Sequence, residues 1–157
     1  MIAKTFAALP ALALATAVAA QQPVTASSVD YSIARIAAGS WTYQSVPGGS
    51  AARFIDSTGT ARFALECSKA TRRVTISRTS ATAAPSLFVW TTDFSRTLGV
   101  RFEPNAMRVA VELAARDPLL DGIAYSRGRI AVTSGGSDAL VMPAWPEAAR
   151  TIEDCRI

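Results

Sequence analysis

Histidine is absent from the 157 residues, and with it go the Ser-His-Asp and Cys-His catalytic arrangements and the histidine-based zinc sites. Cysteine is nearly absent as well, with only Cys67 and Cys155 in the chain. Their wide separation is unlike the Cys-x-x-Cys spacing of thiol oxidoreductases. Lysine is limited to Lys4 and Lys69, against 14 arginines scattered without a polybasic block. A formal charge of +4 spread in this way bears on solubility and on encounter with anionic envelope polymers. It points to no nucleic-acid partner.

Long apolar runs are also missing, with one short exception at the start. Lys4 precedes an apolar stretch from Phe6 to Ala20 that ends in the small residues Val18, Ala19 and Ala20. That is the pattern of a secretory signal peptide over residues 1–20, cut before Gln21 or, second, before Ala20. It is short for a membrane span of about 20 residues. No transmembrane segment is expected after cleavage, and no Cys stands at the cleavage point to carry a lipid. Removing residues 1–20 leaves 15 basic and 12 acidic residues. About 137 residues is an ordinary size for one domain. The expected organisation is a flexible leader over 21–37 and a single β domain over 38–157.

The clearest internal pattern lies between Ala61 and Ser77. Phe63, Leu65 and Cys67 alternate with polar or small residues, and so do Val74 and Ile76. A β-hairpin follows, turning at Ser68–Thr71, with Cys67 opposite Arg72, Leu65 opposite Val74, Phe63 opposite Ile76 and Glu66 opposite Arg73. Arg72 and Arg78 fall at the ends of its inward face, where a long side chain buries its stem and keeps its head wet.

The remaining elements follow the same logic. Trp41 to Gln44 and Ala51 to Asp56 read as strands around a turn at Val46–Ser50. Ser86 to Thr92 is a continuous apolar run, expected as a central strand covered on both faces. Arg96 to Glu103 reads as one strand, and the alternation of Met107, Val109, Val111 and Leu113 as another. A helix is expected over 117–127, with Asp117 as N-cap, Pro118 at the first helical position and Gly128 as C-cap. Ile130 to Thr133 and Leu140 to Met142 form a hairpin through Gly135, Gly136 and Ser137, with Val132 opposite Leu140. A last helix spans 146–154 and places Ala148, Ile152 and Cys155 on one face. The fold class is mostly β, an antiparallel sandwich or partly open barrel of about eight or nine strands with two short helices.

Cys67 and Cys155 both read as inward-facing, and an even cysteine count in an exported chain favours a disulfide between them. Asp117 and Asp121, one helical turn apart, form a conceivable carboxylate pair, set against the plainer reading of a cap and a first-turn acid. Arg127 and Arg129 sit at a helix end, where they face either Glu153 and Asp154 or an anion. Trp90 and Trp145 read as core or core-edge residues, which leaves Trp41 and Tyr43 as the aromatic contact candidates. No residue stands out as catalytic, metal-ligating or cofactor-binding.

Leu120 to Gly128, Arg129 to Met142 and Trp145 to Ile152 form a helix, a hairpin and a second helix. Their order resembles the C-terminal half of the invasion-associated locus B family, small exported β proteins of alphaproteobacteria. The paired cysteines of that family's first half have no counterpart here. Residues 119–129 and 145–156 are similar to segments of exported small β proteins of sphingomonad-type alphaproteobacteria, which carry no assigned function. The resemblance implies export and a β fold, and transfers no catalytic residue. The expected function is that of a periplasmic non-enzymatic protein binding an envelope component or another protein. The alternative is a small hydrolase or lyase working through carboxylates and arginine.

Overall fold

Alternating apolar positions fold into ten antiparallel strands among the described residues, 29–135 and 137–157, of a computed structural model. The expected signal peptide and the first part of the leader lie outside them. β1 (Gly39–Val46) and β2 (Gly49–Asp56) form a hairpin about Pro47 and Gly48. Pro47 presets its own φ, and Gly48 takes φ 78°, which suits a residue without Cβ. β3 (Ala61–Ser68) and β4 (Arg73–Thr79) form the second hairpin, followed by β5 (Ser86–Trp90), β6 (Ser95–Gly99) and β7 (Arg101–Glu103). After a 3₁₀ turn at Pro104–Ala106 come β8 (Arg108–Ala114), α1 (Pro118–Ala124), β9 (Arg129–Ser134), β10 (Leu140–Pro143) and α2 (Pro146–Asp154).

The strands make two sheets. One has six strands in the order β1-β2-β3-β4-β8-β7, and the other has four in the order β10-β9-β5-β6. The inner faces enclose one core, in which Phe54, Phe63, Leu65 and Ile76 of the larger sheet join Leu87, Ile130 and Met142 of the smaller. α2 closes the part of the larger sheet formed by β1, β2 and β3, and α1 packs beside it. Cys155, fully buried just beyond α2, is bonded to Cys67 in β3, with Cα atoms 5.5 Å apart. Nine residues are too few for α2 to hold its shape alone. The bridge ties its end to the sheet.

Several expectations change in detail. The β3–β4 hairpin keeps its faces, but its register moves by two: Cys67 pairs with Val74, Leu65 with Ile76 and Glu66 with Thr75. The turn is Lys69–Arg72, with Arg72 at φ 51°. A two-residue slip leaves every side chain on its own face, so alternation alone does not choose between the two registers. Glu66 therefore meets Arg53 and Arg108 rather than Arg73, which pairs with Glu112. The stretch 96–103 is two strands, because the chain leaves one sheet and enters the other at Val100. β5 alternates buried and half-buried residues, so one of its faces is only partly covered. The β9–β10 pairing is as expected, with Val132 opposite Leu140 and Ile130 opposite Met142.

Arg78 departs furthest from its expected place. Its head is not wet: the residue is 5% exposed, and the guanidinium donates to the carbonyls of Val132 and Asp138. It thereby links β4 of one sheet to β9 and the approach to β10 of the other. Burial holds its pKa below the ordinary arginine value, and the nearby Arg62 adds to this. The second half of the expected leader is mostly exposed but touches the domain at a few residues. Tyr31 lies against Phe88 and Trp90, Ala37 N–H donates to the Val141 carbonyl (2.8 Å), and Arg129 Nε donates to Ala34 (2.9 Å).

Candidate functional site

Two sheets leave four edges, and an open edge is a row of unpaired backbone donors and acceptors. Three of these edges are blunted. β7 is three residues long, carries Arg101 and Glu103, and ends at Pro104. β6 turns Arg96 inward to Asp117 at the start of α1 (2.8 Å). β10 is four residues long, ends in Pro143, and has Val141 already bonded by Ala37.

The fourth edge is different. β1 is eight residues long, Gly-Ser-Trp-Thr-Tyr-Gln-Ser-Val, with no charged residue and no proline. Among the described residues its backbone pairs only with β2. The two-residue turn makes Val46 and Gly49 a hydrogen-bonded pair. By alternation the N–H and C=O groups of Gln44 and Thr42 also go to β2. Those of Ser45, Tyr43 and Trp41 point to the open edge.

Side chains hold this edge in place. Trp41 is 5% exposed, packs edge-on against Phe54 and Phe63, and donates its indole N–H to the Pro143 carbonyl (2.8 Å). It anchors the strand from within and offers no face to a ligand. Tyr43 is half-buried beside α2: its hydroxyl donates to the Asp154 carboxylate (2.6 Å), and the Arg150 guanidinium lies 4.0 Å from its ring centroid. Burial pushes the Asp154 carboxyl upward, but the Tyr43 hydrogen bond and the nearby cations outweigh it and leave its pKa lowered. Trp145, 44% exposed, heads α2 two residues after Pro143. The open strand thus has a cation, an anion and an exposed indole on the helix beside it.

The structure brings Trp41 and Tyr43 together here but not Arg127 and Arg129. Arg127 is exposed, with its backbone N–H bonded to Thr92 Oγ1, and Arg129 braces Ala34. Neither meets Glu153 or Asp154. Glu153 pairs with Arg156, and Asp154 serves Tyr43. Gly128 does not cap α1, since Tyr125 ends that helix and Gly128 turns the chain beyond it at φ 83°. Arg150 and Asp154 were missed as partners of Tyr43. Their i, i+4 spacing puts them on one helix face, but nothing local says that β1 lies opposite.

Asp117 and Asp121 are each engaged with a different arginine. Asp117 caps α1 through the Leu119 N–H and binds Arg96, while Asp121 binds Arg156. The carboxyls whose ionisation the fold displaces, Asp30, Asp56, Glu103 and Asp154, all move downward. A general acid at neutral pH needs the opposite shift. A cavity of about 180 Å³ on the outer face of the larger sheet is bordered by Arg53, Glu66 and Arg108. These are ion-paired among themselves and with Glu103 at 2.7–3.3 Å. No group of three metal-ligating side chains occurs among the described residues. No helix among them is long and apolar enough to cross a membrane. Comparison of the chain with protein-family models, with curated proteins and with solved structures finds no match.

Proposed function

We propose that the protein is a non-enzymatic binding protein of the periplasm that receives an extended segment of another polypeptide as an added strand along β1. The contrast among the edges carries this reading, because three of them bear features that prevent strand addition and β1 bears none. Main-chain bonds to Trp41, Tyr43 and Ser45 supply affinity in this mode of recognition. Alternate side chains of the guest supply specificity against the flanking groups, here Arg150, Asp154 and Trp145. The bridge between Cys67 and Cys155 is in keeping with an oxidising compartment. So are the signal-like N-terminus and the likeness to exported sphingomonad-type proteins.

The test blocks the edge without disturbing the sheet. Ser45 is exposed and its N–H points away from β2, so Ser45→Pro removes an edge donor and spares the β1–β2 ladder. Ser45→Lys adds the charge that guarded edges carry. Envelope extract is passed over immobilised wild type and both variants, with near-identical melting temperatures required of all three. Proteins retained by wild type and lost from both variants are expected. An identical retained set on all three would refute the reading.

A further inference from the structure

Most arginines in this chain have a partner. Seven are ion-paired, Arg78 and Arg129 donate to carbonyls, and Arg150 lies over Tyr43. Among the described residues that leaves Arg35, Arg72, Arg116 and Arg127. Two of these four line the same cavity, a space of about 210 Å³ bordered by Arg72, Arg116, Arg156, Ala114, Ala115 and Cys155. Three arginines and no acid are among its lining residues. Its buried surface is apolar, with Ala115 at 5% exposure and Cys155 at 0%.

Hydrogen bonds fix the backbone around the cavity and the Arg156 side chain. Ala115 N–H donates to the Arg72 carbonyl (3.0 Å), which joins the β3–β4 turn to the end of β8 and sets Arg72 and Arg116 on adjoining turns. Arg156 Nε donates to the Ala115 carbonyl (2.9 Å), and its other nitrogens hold Glu153 (2.9 Å) and Asp121 (2.6 Å). The charge of Arg156 is therefore already met by Glu153 and Asp121. The disulfide fixes Cys155 beneath. Two unpaired guanidinium forks beside an apolar surface suit a ligand with an anionic head and a hydrocarbon end.

We infer that this cavity binds a small oxyanion, a phosphate or carboxylate, carried on a short apolar stem. None of its lining residues is among those assigned to the β1 edge. The volume admits a head group and a few carbons, which favours a free ligand over a lipid headgroup in a bilayer.

Calorimetric titration of the intact protein with hexyl phosphate, inorganic phosphate and hexanol tests the inference. One site per chain is expected for hexyl phosphate, weaker binding for inorganic phosphate and none for hexanol. Arg72→Asn, chosen because Asn tolerates positive φ, and Arg116→Ala are each expected to weaken hexyl phosphate about tenfold or more, the scale of losing one charge-assisted hydrogen bond. Arg127→Ala, equally unpartnered but elsewhere, should leave it unchanged. Unaltered affinity in both cavity variants, with melting temperatures preserved, would overturn the inference. So would equal affinity for inorganic and hexyl phosphate. Phosphatidylcholine vesicles carrying phosphatidic acid form the remaining arm. Binding to them that depends on Arg72 and Arg116, without binding of hexyl phosphate, would likewise overturn the free-ligand assignment.

Discussion

Opening the Cys67–Cys155 bridge should cost a large part of the stability of this domain. The bridge joins residues 88 apart in sequence. Closing a loop of that length withholds about 4–5 kcal/mol of chain entropy from the unfolded state. A domain of this size is stable by only about 5–15 kcal/mol in total. The native state loses something too, because α2 spans nine residues and is fastened at its end by Cys155. Two perturbations separate the effects. Reduction leaves both sulfurs in place and removes only the link, whereas Cys67→Ala with Cys155→Ala also removes buried volume. Urea denaturation of the oxidised, reduced and doubly substituted proteins gives the stabilities. A fall of about 4–5 kcal/mol on reduction is expected, with a further loss in the double variant. Reduction should also raise the denaturant slope as the unfolded chain expands, and hydrogen exchange should increase first in α2. A loss under about 1 kcal/mol on reduction, far below the loop-closure value, would refute this reasoning.

Other outcomes follow from single groups. Arg78→Ala should destabilise by about 2–3 kcal/mol in thermal or urea melts, since it strips two carbonyls of a charged donor between the sheets. Gly49→Ala should cost about 2–4 kcal/mol, because an added Cβ collides with the Cys67 carbonyl of β3. Gly99→Ala meets no atom within 4 Å and serves as its control. The Thr58 hydroxyl, then the Thr60 N–H, lower the Asp56 carboxyl from 3.8 to about 2. A depressed carboxyl contributes stability above its unfolded value and loses it as pH falls through the folded one. Asp56→Asn should therefore melt lower than wild type at pH 7, with the gap closing between about pH 4 and pH 2.

The parts legible in the sequence were those set by neighbours along the chain. Leu65, Cys67, Val74 and Ile76 declare their face through a period of two, and Asp117, Pro118 and Leu119 carry a complete helix start. The β9–β10 pairing was legible for the same reason. The β3–β4 register was not, because both registers satisfy the alternation and both leave a four-residue turn. The fate of Trp41 depends on Phe54, Phe63 and the Pro143 carbonyl, the last 102 residues away. Its strand pattern suits an exposed edge and a buried anchor equally well. The candidate site was half legible. Tyr43 stands out in the sequence as an aromatic contact candidate, whereas the openness of its edge follows from strand order, which no local pattern encodes.

Strand addition at β1 is tested most directly by the backbone amides that would take part. Extended octapeptides from a displayed random library are selected on the wild-type protein, and amide exchange is followed by NMR with and without the selected sequence. Slowed exchange at Trp41, Tyr43 and Ser45, little change at Thr42 and Gln44, and loss of binding to Ser45→Pro are expected. A selection that yields no binder above background would contradict strand addition, as would a binder that protects another surface or holds Ser45→Pro as tightly as wild type.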